Sequence, residues 1–380
     1  MTSLVSEEGS PGRNVVKGDL ACLLAAIPPT EKGGARLLGA AVAMGPLRSE
    51  QRYRDTLSRE FNAATAENAM KWGSLQSKEG EWNFDDADYF IDFCEKNGLA
   101  VKGHALVWHN QYPAFLDTRS KEGMAAETLL GYMEAHIKTV VGRYKGRVRS
   151  WDVLNEVVGD DGRTLRKTMF TELVGEMFIP LIFQWAHEAD PDALLFYNDY
   201  SIDQVNPKSS YTFDMLKKLV DSGVPVHGVG LQGHLHVSAV NVESIVENIR
   251  RFSELGLLVN FSEVDVRICG MGEHRLALQQ NVCRQLFYNC FMQPRFEGFT
   301  FWGFTDKHSC KCIPFFLVLH SSLLTSIFLF FLDKGSTVFL DKMSLLFSTR
   351  VMGKSQLTLD AAKALGRYLV GSNMEESLSI

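Results

Sequence analysis

The chain has 380 residues, of which 46% are hydrophobic and 22% are charged, and its formal net charge is -6 at pH 7. That length exceeds the roughly 250 residues of a typical (β/α)₈ barrel, so one barrel with extensions or two smaller domains would fit. The negative charge and the lack of a Lys/Arg cluster argue against a nucleic-acid partner, because such proteins usually carry a concentrated basic face.

The N-terminal region has acidic residues near its start and no apolar core of a secretory signal. Its one apolar run, Leu20–Ile27, comes late and stops at two prolines. We expect residues 1–34 to be a poorly ordered extension and residues 35–380 to form one domain. The chain as written is predicted to be cytoplasmic, or secreted if the true start lies upstream.

Eight short apolar segments recur along the rest of the chain, and most are continuously apolar rather than alternating. Such runs are typical of strands that are buried on both faces of a parallel sheet. We predict strands at Arg36–Met44, Phe61–Thr65, Leu99–Trp108, Val148–Asn155, Ala193–Tyr197, Val226–Gln232, Leu257–Val266 and Gly298–Gly303.

Amphipathic helical patterns lie between these segments. One helix is predicted to be capped by Asp85 and Asp86 and to end at Asn97-Gly98. Two further apolar stripes comprise Leu130, Met133, Ile137, Val140 and Tyr144, and Ile245, Ile249 and Phe252. Strands that alternate with helices imply right-handed βαβ units. Eight such strands favour a closed (β/α)₈ TIM barrel over an open sheet.

One apolar segment departs from this pattern. Cys312–Leu332 has no formal charge and is about as long as a membrane span. It follows the eighth strand directly and precedes a last amphipathic helix at Leu359–Leu369, which a span would separate from the barrel. We therefore favour an apolar insertion or retained non-coding sequence over a membrane span, treat residues 310–343 as an atypical segment, and expect no membrane partner.

The cysteines do not describe a disulfide framework, because their number, seven, is odd and their spacing shows no repeated pairs. We expect free or buried thiols. Cys310 and Cys312 are too close in sequence for a usual metal-binding pair, and the acidic and histidine residues show no metal-ligand set. The sequence therefore predicts no metal and no cofactor.

Two carboxylates stand where predicted strands end: Glu156 closes the segment WDVLNE, and Glu263 lies in SEVDV. The C-terminal ends of barrel strands face one common mouth, so the two can converge across a substrate. Either residue alone would be read as a solvated or ion-paired carboxylate. As a pair on opposing strands of one barrel, they are candidate catalytic carboxylates.

From about Arg36 to Ser309 the chain resembles glycoside hydrolase family 10, whose members are mainly endo-β-1,4-xylanases. The resemblance rests on seven motifs in family order: FN with TAENAMKW, GHALVWHNQ, WDVLNE, YNDY, GLQGHL, SEVDV and FWGFTDKHS. Each is weakly specific alone, but the ordered set is strongly so. It implies a monomeric, retaining endo-β-1,4-xylanase that acts on xylan and xylo-oligosaccharides, and makes residues 35–380 a catalytic domain.

The resemblance also implies roles for individual residues. Glu156 would be the general acid/base and Glu263 the nucleophile, with ionised Glu263 helping to hold Glu156 protonated. His234 would hydrogen-bond Glu263 and be oriented by Asp265. Asn155 would bond the sugar 2-hydroxyl.

Other residues are expected to contact substrate more widely. Gln232 is expected near the 2-hydroxyl, Tyr200 on the leaving-group side, and Trp302 beneath the central subsite. The glycone side is implied to comprise Glu67, Asn68, Lys71, His104 and Trp108. Donors and acceptors for hydroxyls, and aromatic faces for sugar rings, suit a carbohydrate chemically.

The resemblance fails after the eighth strand. Family members usually follow DKHS with a tryptophan that overhangs the glycone subsites, whereas this chain has Cys310. Two alternatives therefore stay open beside a xylanase. One is a related β-glucan hydrolase, and the other is an inactive or poorly folding carbohydrate-binding homologue.

Overall fold

The structure is a computed structural model that describes residues 34–268 and 273–305, together with Leu24, Ile27, residues 29–31 and residues 307 and 308. Most of the expected N-terminal extension, the atypical segment 310–343 and the last predicted helix, Leu359–Leu369, lie outside the described residues. The same holds for the apolar segment Cys312–Leu332.

The described strands form a closed parallel barrel. β1 pairs with β2 on one side and with β9 on the other, and β6 pairs with β8, so eight of the nine strands complete the ring. The predicted (β/α)₈ barrel is therefore confirmed. The strands are β1 (Leu37–Val42), β2 (Ala63–Ala66), β3 (Ala100–Trp108), β4 (Ser150–Asn155), β5 (Leu194–Asp199), β6 (Gly228–Leu231), β7 (His234–His236), β8 (Leu258–Arg267) and β9 (Phe296–Phe301).

Burial on both faces explains why these strands were recognisable. All six residues of β4 are buried, inward-facing and outward-facing alike. Close packing inside the barrel depends on small residues. A Cβ at Gly103 would lie 2.1 Å from the ring of the fully buried Trp151, so glycine is needed beside that indole.

The helices surround the ring. They are α1 (Met44–Ser49), α2 (Gln51–Glu60), α3 (Trp72–Leu75), α4 (Asp85–Lys96), α5 (Ala114–Lys121), α6 (Ala126–Arg143), α7 (Met169–Leu173), α8 (Phe178–Ala189), α9 (Pro207–Asp221), α10 (Val242–Glu254) and α11 (Glu273–Phe291). Within the described residues, no helix combines the length and the apolar character that crossing a membrane requires.

The prediction for α4 was right at its C-terminal end and wrong at its start. The helix ends before Asn97, and Gly98 takes a φ of 64°. Asp85 and Asp86 do not cap it, because the N-cap position belongs to Phe84 and both acids lie in the first turn. In that position their negative charges still interact favourably with the positive end of the helix dipole.

The apolar stripes of α6 and α10 face the barrel, as predicted. Ile245, Ile249 and Phe252 are buried in α10. In α6 the buried set includes Met133, Ile137 and Val140, with Leu129 buried rather than Leu130.

The eight predicted strands match observed strands to within two residues at each end, and one further strand was missed. β9 runs from Phe296 to Phe301, two residues earlier than predicted, so Trp302 lies just beyond the strand. β7 was not predicted. It has only three residues and pairs His234 with Asp265 at the C-terminal end of β8.

Candidate active site

Glu156 follows β4 directly and has a left-handed backbone with φ of 59°, a conformation rare for residues other than glycine. The residue is only 9% exposed. Trp108 Nε1 donates to its Oε2 at 2.8 Å, while Gln232 Nε2 and Asn155 Nδ2 donate to its Oε1 at 2.8 and 3.2 Å. Three donors thus fix this carboxyl group in one orientation.

Glu263 lies inside β8 and is 5% exposed. Its Oε1 accepts a hydrogen bond from Asn198 Nδ2 at 3.0 Å, and its Oε2 lies 3.3 Å from His234 Nε2. The backbone N–H of Glu263 donates to the carbonyl of Gln232 at 2.8 Å. The two carboxylates that the sequence singled out therefore both lie at the C-terminal end of the barrel, each within its own set of donors.

Asn198 connects these two sets and was not among the predicted site residues. Its Nδ2 donates to Asn155 Oδ1 at 2.8 Å as well as to Glu263. Its Oδ1 accepts from Ser262 Oγ at 2.5 Å. The signal was present in the motif YNDY, from which only Tyr200 had been chosen.

Gly230 leaves the space that Asn198 occupies. A Cβ at Gly230 would lie 2.3 Å from Asn198 Oδ1. We expect Gly230→Ala to lower kcat/KM by roughly a hundredfold, since small displacements of positioning groups have effects of this size. The matched control is Gly131→Ala in α6, where an added Cβ meets nothing within 4 Å. Equal activity in the two variants would contradict the role given to Asn198.

His234 is held between two carboxylates. Its Nδ1 lies 2.7 Å from Asp265 Oδ2, and its Nε2 faces Glu263. Burial opposes its positive charge, but the hydrogen bonds to Asp265 and Glu263 outweigh burial and raise the pKa of His234 to about 10. At neutral pH the imidazolium therefore donates to Glu263 and stabilises its ionised form.

This raised pKa predicts a pH dependence of stability. The ordinary pKa of 6.5 is that of the unfolded state, so the stabilisation by His234 is fully present below pH 6.5 and is lost as pH rises toward 10. We expect the free energy of unfolding to fall over this window, by at most about 1.4 kcal/mol per pH unit from this group. Denaturant unfolding at pH 7, 8 and 9 should show a shallower decline in His234→Asn. If the free energy of unfolding fell equally with pH in the wild type and in His234→Asn, the pH dependence could not be due to His234.

His104 faces the other carboxylate oxygen of Glu263. Its Nε2 lies 3.9 Å from Glu263 Oε1, which is too long for a hydrogen bond. The ring of Trp302 meets the imidazole edge-on at a centroid distance of 5.2 Å. Trp302 therefore borders the site, although β9 ends one residue before it.

Lys71 anchors the residues predicted for the glycone side. Its Nζ donates to Asn68 Oδ1 at 3.0 Å and to Gln111 Oε1 at 2.7 Å, and it lies 4.9 Å from the centre of the Trp108 ring. Burial lowers the pKa of Lys71, and the carboxylates of Glu263, Glu67 and Glu156 oppose that shift.

Glu67 and Asn68 also line an adjoining cavity of about 240 Å³. Its wall includes the polar residues Ser74 and Asn83 and the apolar Met44. A mixed polar and apolar lining of this kind suits a sugar.

Tyr200 belongs to a polar group next to Glu156. Its hydroxyl donates to Asp160 and accepts from Arg166 Nη2 at 2.8 Å, and Lys208 Nζ lies 3.6 Å from its ring centre. Burial and the Asp160 carboxylate raise the pKa of Tyr200 to about 12. Arg166 Nε also donates to the backbone carbonyl of Glu156 at 3.1 Å, which connects this group to the main chain of Glu156.

Other residues near the carboxylates were also missed as site residues. His109 Nδ1 lies 4.0 Å from Glu156 Oε2, and burial lowers the pKa of His109. His109 and Gln111 belong to the motif that supplied His104 and Trp108, so the sequence signal existed but did not single them out.

The described residues contain no group of three or more His, Cys, Asp or Glu side chains that could hold a metal ion. Three cysteines in the described part of the chain, Cys94, Cys283 and Cys290, are free and buried. Burial raises the pKa of each thiol, which disfavours the reactive thiolate.

Comparison with known proteins places this barrel among xylanases. Residues 29–314 match the model of glycosyl hydrolase family 10. Endo-1,4-beta-xylanase B of Thermotoga neapolitana is 41% identical over 261 residues, covering 68% of this chain and 74% of that protein.

Solved structures give the same result. Native xylanase 10B from Thermotoga maritima superposes with a TM-score of 0.74 at 37% identity, covering 81% of this chain and 98% of that one. Xylanase 10B from Thermotoga petrophila RKU-1, in complex with xylobiose, has a TM-score of 0.71 at 37% identity, covering 77% and 95%. The matched barrel and the matched family model together mean that this chain belongs to glycosyl hydrolase family 10.

Proposed function

We propose that the protein is a retaining endo-β-1,4-xylanase in which Glu156 is the general acid/base and Glu263 is the nucleophile. The observation that carries the proposal is the unequal surroundings of the two buried carboxylates. Glu263 faces the imidazolium of His234, which favours an ionised nucleophile. Among the described residues, the groups that donate hydrogen bonds to the Glu156 carboxyl are a neutral indole and two neutral amides.

In the first step, Glu263 attacks the anomeric carbon while Glu156 protonates the departing glycosidic oxygen. The bond from the sugar to that oxygen breaks as the bond to Glu263 forms, giving a glycosyl-enzyme. The His234 imidazolium remains beside Glu263 and stabilises the carboxylate that is regenerated later.

In the second step, water attacks the same carbon and Glu156 accepts its proton. While Glu263 is ionised, its charge disfavours a second negative charge on Glu156. That repulsion disappears once Glu263 is esterified, so Glu156 can then act as a base. Asn155 is placed beside Glu156 and is the proposed partner of the sugar 2-hydroxyl, a contact that strengthens in the transition state.

The proposed substrate is the xylan backbone. Xylo-oligosaccharides are its products and can also serve as shorter substrates. Relatives named as endo-1,4-beta-xylanases and a homologous structure with bound xylobiose support this choice. We propose that the enzyme acts as a monomer, since the two carboxylates and their donors come from one barrel.

Side-by-side rates on unbranched xylan and on a soluble cellulose derivative test the substrate. We expect xylan to be cleaved internally to short xylo-oligosaccharides. The kcat/KM on the glucan should be at least tenfold lower, because excluding the one extra hydroxymethyl group of glucose from the pocket can produce a difference of this size. Faster cleavage of the cellulose derivative would establish the β-glucan alternative. Folded protein that binds xylan without cleaving it would establish the inactive one.

A further inference from the structure

A two-residue turn, Gln232-Gly233, joins β6 to β7 and carries contacts of both catalytic carboxylates. Gln232 Nε2 donates to Glu156 Oε1 at 2.8 Å, and its backbone carbonyl accepts from the N–H of Glu263 at 2.8 Å. His234, the next residue after the turn, has its Nε2 at 3.3 Å from Glu263 Oε2. A small rotation of the turn would therefore displace a donor from each carboxylate at the same time.

The backbone of this turn is held by a buried carboxylate. Gly233 has a φ of 78°, and a Cβ there would lie 2.7 Å from the ring of Phe261. Its N–H donates to Asp203 Oδ1 at 2.9 Å, while its carbonyl accepts from the N–H of Asp265 at 3.2 Å. Asp203 thus fixes the peptide unit between Gln232 and Gly233.

Asp203 lies in the loop after β5 and is 5% exposed. The side-chain amide of Asn248 in α10 donates to the backbone carbonyls of Ile202 and Asp203, at 2.6 and 3.1 Å, so this loop is fixed as well. Burial raises the pKa of the Asp203 carboxyl to about 6, and the Gly233 N–H and the charge of His234 oppose that shift. Because a buried carboxylate is costly unless it is hydrogen-bonded, the position favours a role that uses its acceptor atoms.

We propose that Asp203 is a positioning residue that acts on both catalytic carboxylates through the Gln232-Gly233 turn. By accepting the Gly233 N–H, it keeps the two donors on either side of that glycine, Gln232 and His234, in contact with their carboxylates. Misplacing such groups by about 1 Å can cost roughly a hundredfold in rate. The effect on rate rests on the proposed function, whereas the hydrogen bond to the turn does not.

Asp190 is the matched control, because it makes the same kind of contact at the opposite end of the barrel. It is 1% exposed, and its Oδ2 accepts the N–H of Gly146 at 2.9 Å. Gly146 has a φ of 74° and precedes the start of β4, whereas Glu156 follows the end of that strand. Loss of either aspartate should therefore loosen one turn, but the turn that Asp190 holds is remote from the catalytic carboxylates.

Hydrogen exchange of the full-length protein tests the hydrogen bond without substrate. We expect the Gly233 amide to be protected in the wild type and in Asp203→Asn, which keeps an acceptor oxygen. Asp203→Ala should speed its exchange by roughly ten- to a hundredfold, the size of one hydrogen bond to a charged group, and Asp190→Ala should do so at Gly146 instead. A wild-type Gly233 amide that exchanges as fast as a solvent-exposed one would overturn the proposal, whether or not any variant folds.

Rates on xylan give the second readout. Asp203→Ala should lower kcat/KM by roughly a hundredfold, whereas Asp203→Asn should keep most of the activity and Asp190→Ala all of it. Equal activity in Asp203→Ala and Asp190→Ala would mean that the turn does not position the carboxylates. If Asp203→Asn loses activity while its Gly233 amide stays protected, the charge of Asp203 matters rather than this hydrogen bond, and the inference is wrong.

A mutant cycle separates positioning from general destabilisation. In a protein that already carries Gln232→Ala and His234→Asn, Asp203→Ala should lower kcat/KM by less than about threefold more, because effects that pass through the same partners are not additive. A further loss as large as that in the wild type would show that Asp203 acts by another route and would refute the inference. Failure of the wild type to cleave xylan would contradict the proposed function and leave the exchange result standing.

Discussion

Glu263→Ala is expected to lower kcat on xylan by at least roughly ten-thousandfold, because removal of a covalent nucleophile has effects of this order. Glu263 is 5% exposed, and Asn198 and His234 hold its carboxylate in one orientation. Initial rates of reducing-sugar release would measure the loss.

The matched control removes a carboxylate of the same type outside the site. Glu254→Ala at the exposed C-terminal end of α10 should leave the rate unchanged. A 2-deoxy-2-fluoro xylobioside with a good leaving group should label the wild type once, and the labelled peptide should contain Glu263. A label on another residue, or residual activity of a few per cent in Glu263→Ala, would contradict the assigned nucleophile.

Glu156→Ala is expected to give a loss that depends on the leaving group. On xylan, whose leaving oxygen needs a proton, kcat should fall by roughly a hundred- to ten-thousandfold. With a dinitrophenyl xylobioside, whose leaving group departs without a proton, the first step should stay fast and the glycosyl-enzyme should accumulate. Stopped-flow release of the phenolate would show a burst followed by slow turnover.

Added azide distinguishes this role from a structural one. Azide attacks the glycosyl-enzyme without needing a base, so it should restore turnover of Glu156→Ala and yield a β-glycosyl azide. The same anion should have no effect on the wild type or on the Glu254→Ala control. Equal losses on both substrates, with no azide rescue, would mean that Glu156 does not transfer the proton.

The barrel was predictable because its strands are buried on both faces. β1 appears in the sequence as a continuous apolar run, and it was predicted to within two residues at each end. The start of β9 was predicted two residues late, at Gly298. Gly298 pairs with Leu37 of β1, and a Cβ there would lie 1.9 Å from the carbonyl oxygen of Leu37, so this close approach of the two strands requires glycine.

The site was predictable only in part, because its contacts depend on register. Trp108 pairs with Asn155 and Asn155 pairs with Asn198 across neighbouring strands, so these side chains share one layer of the barrel. No local sequence pattern indicates which residue of YNDY lies in that layer. Tyr200 was therefore predicted as the site residue, although Asn198 makes the contacts to Asn155 and Glu263. The left-handed backbone of Glu156 likewise follows from the surrounding strands and has no sequence signature.

The central claim, double displacement through Glu263, predicts the configuration of the first product. A ¹H NMR time course of xylo-oligosaccharide hydrolysis in D₂O should show the β anomer of the new reducing end first, with the α anomer appearing later by mutarotation. Initial appearance of the α anomer would mean that water attacks the substrate directly, and it would contradict the glycosyl-enzyme and the role of Glu263.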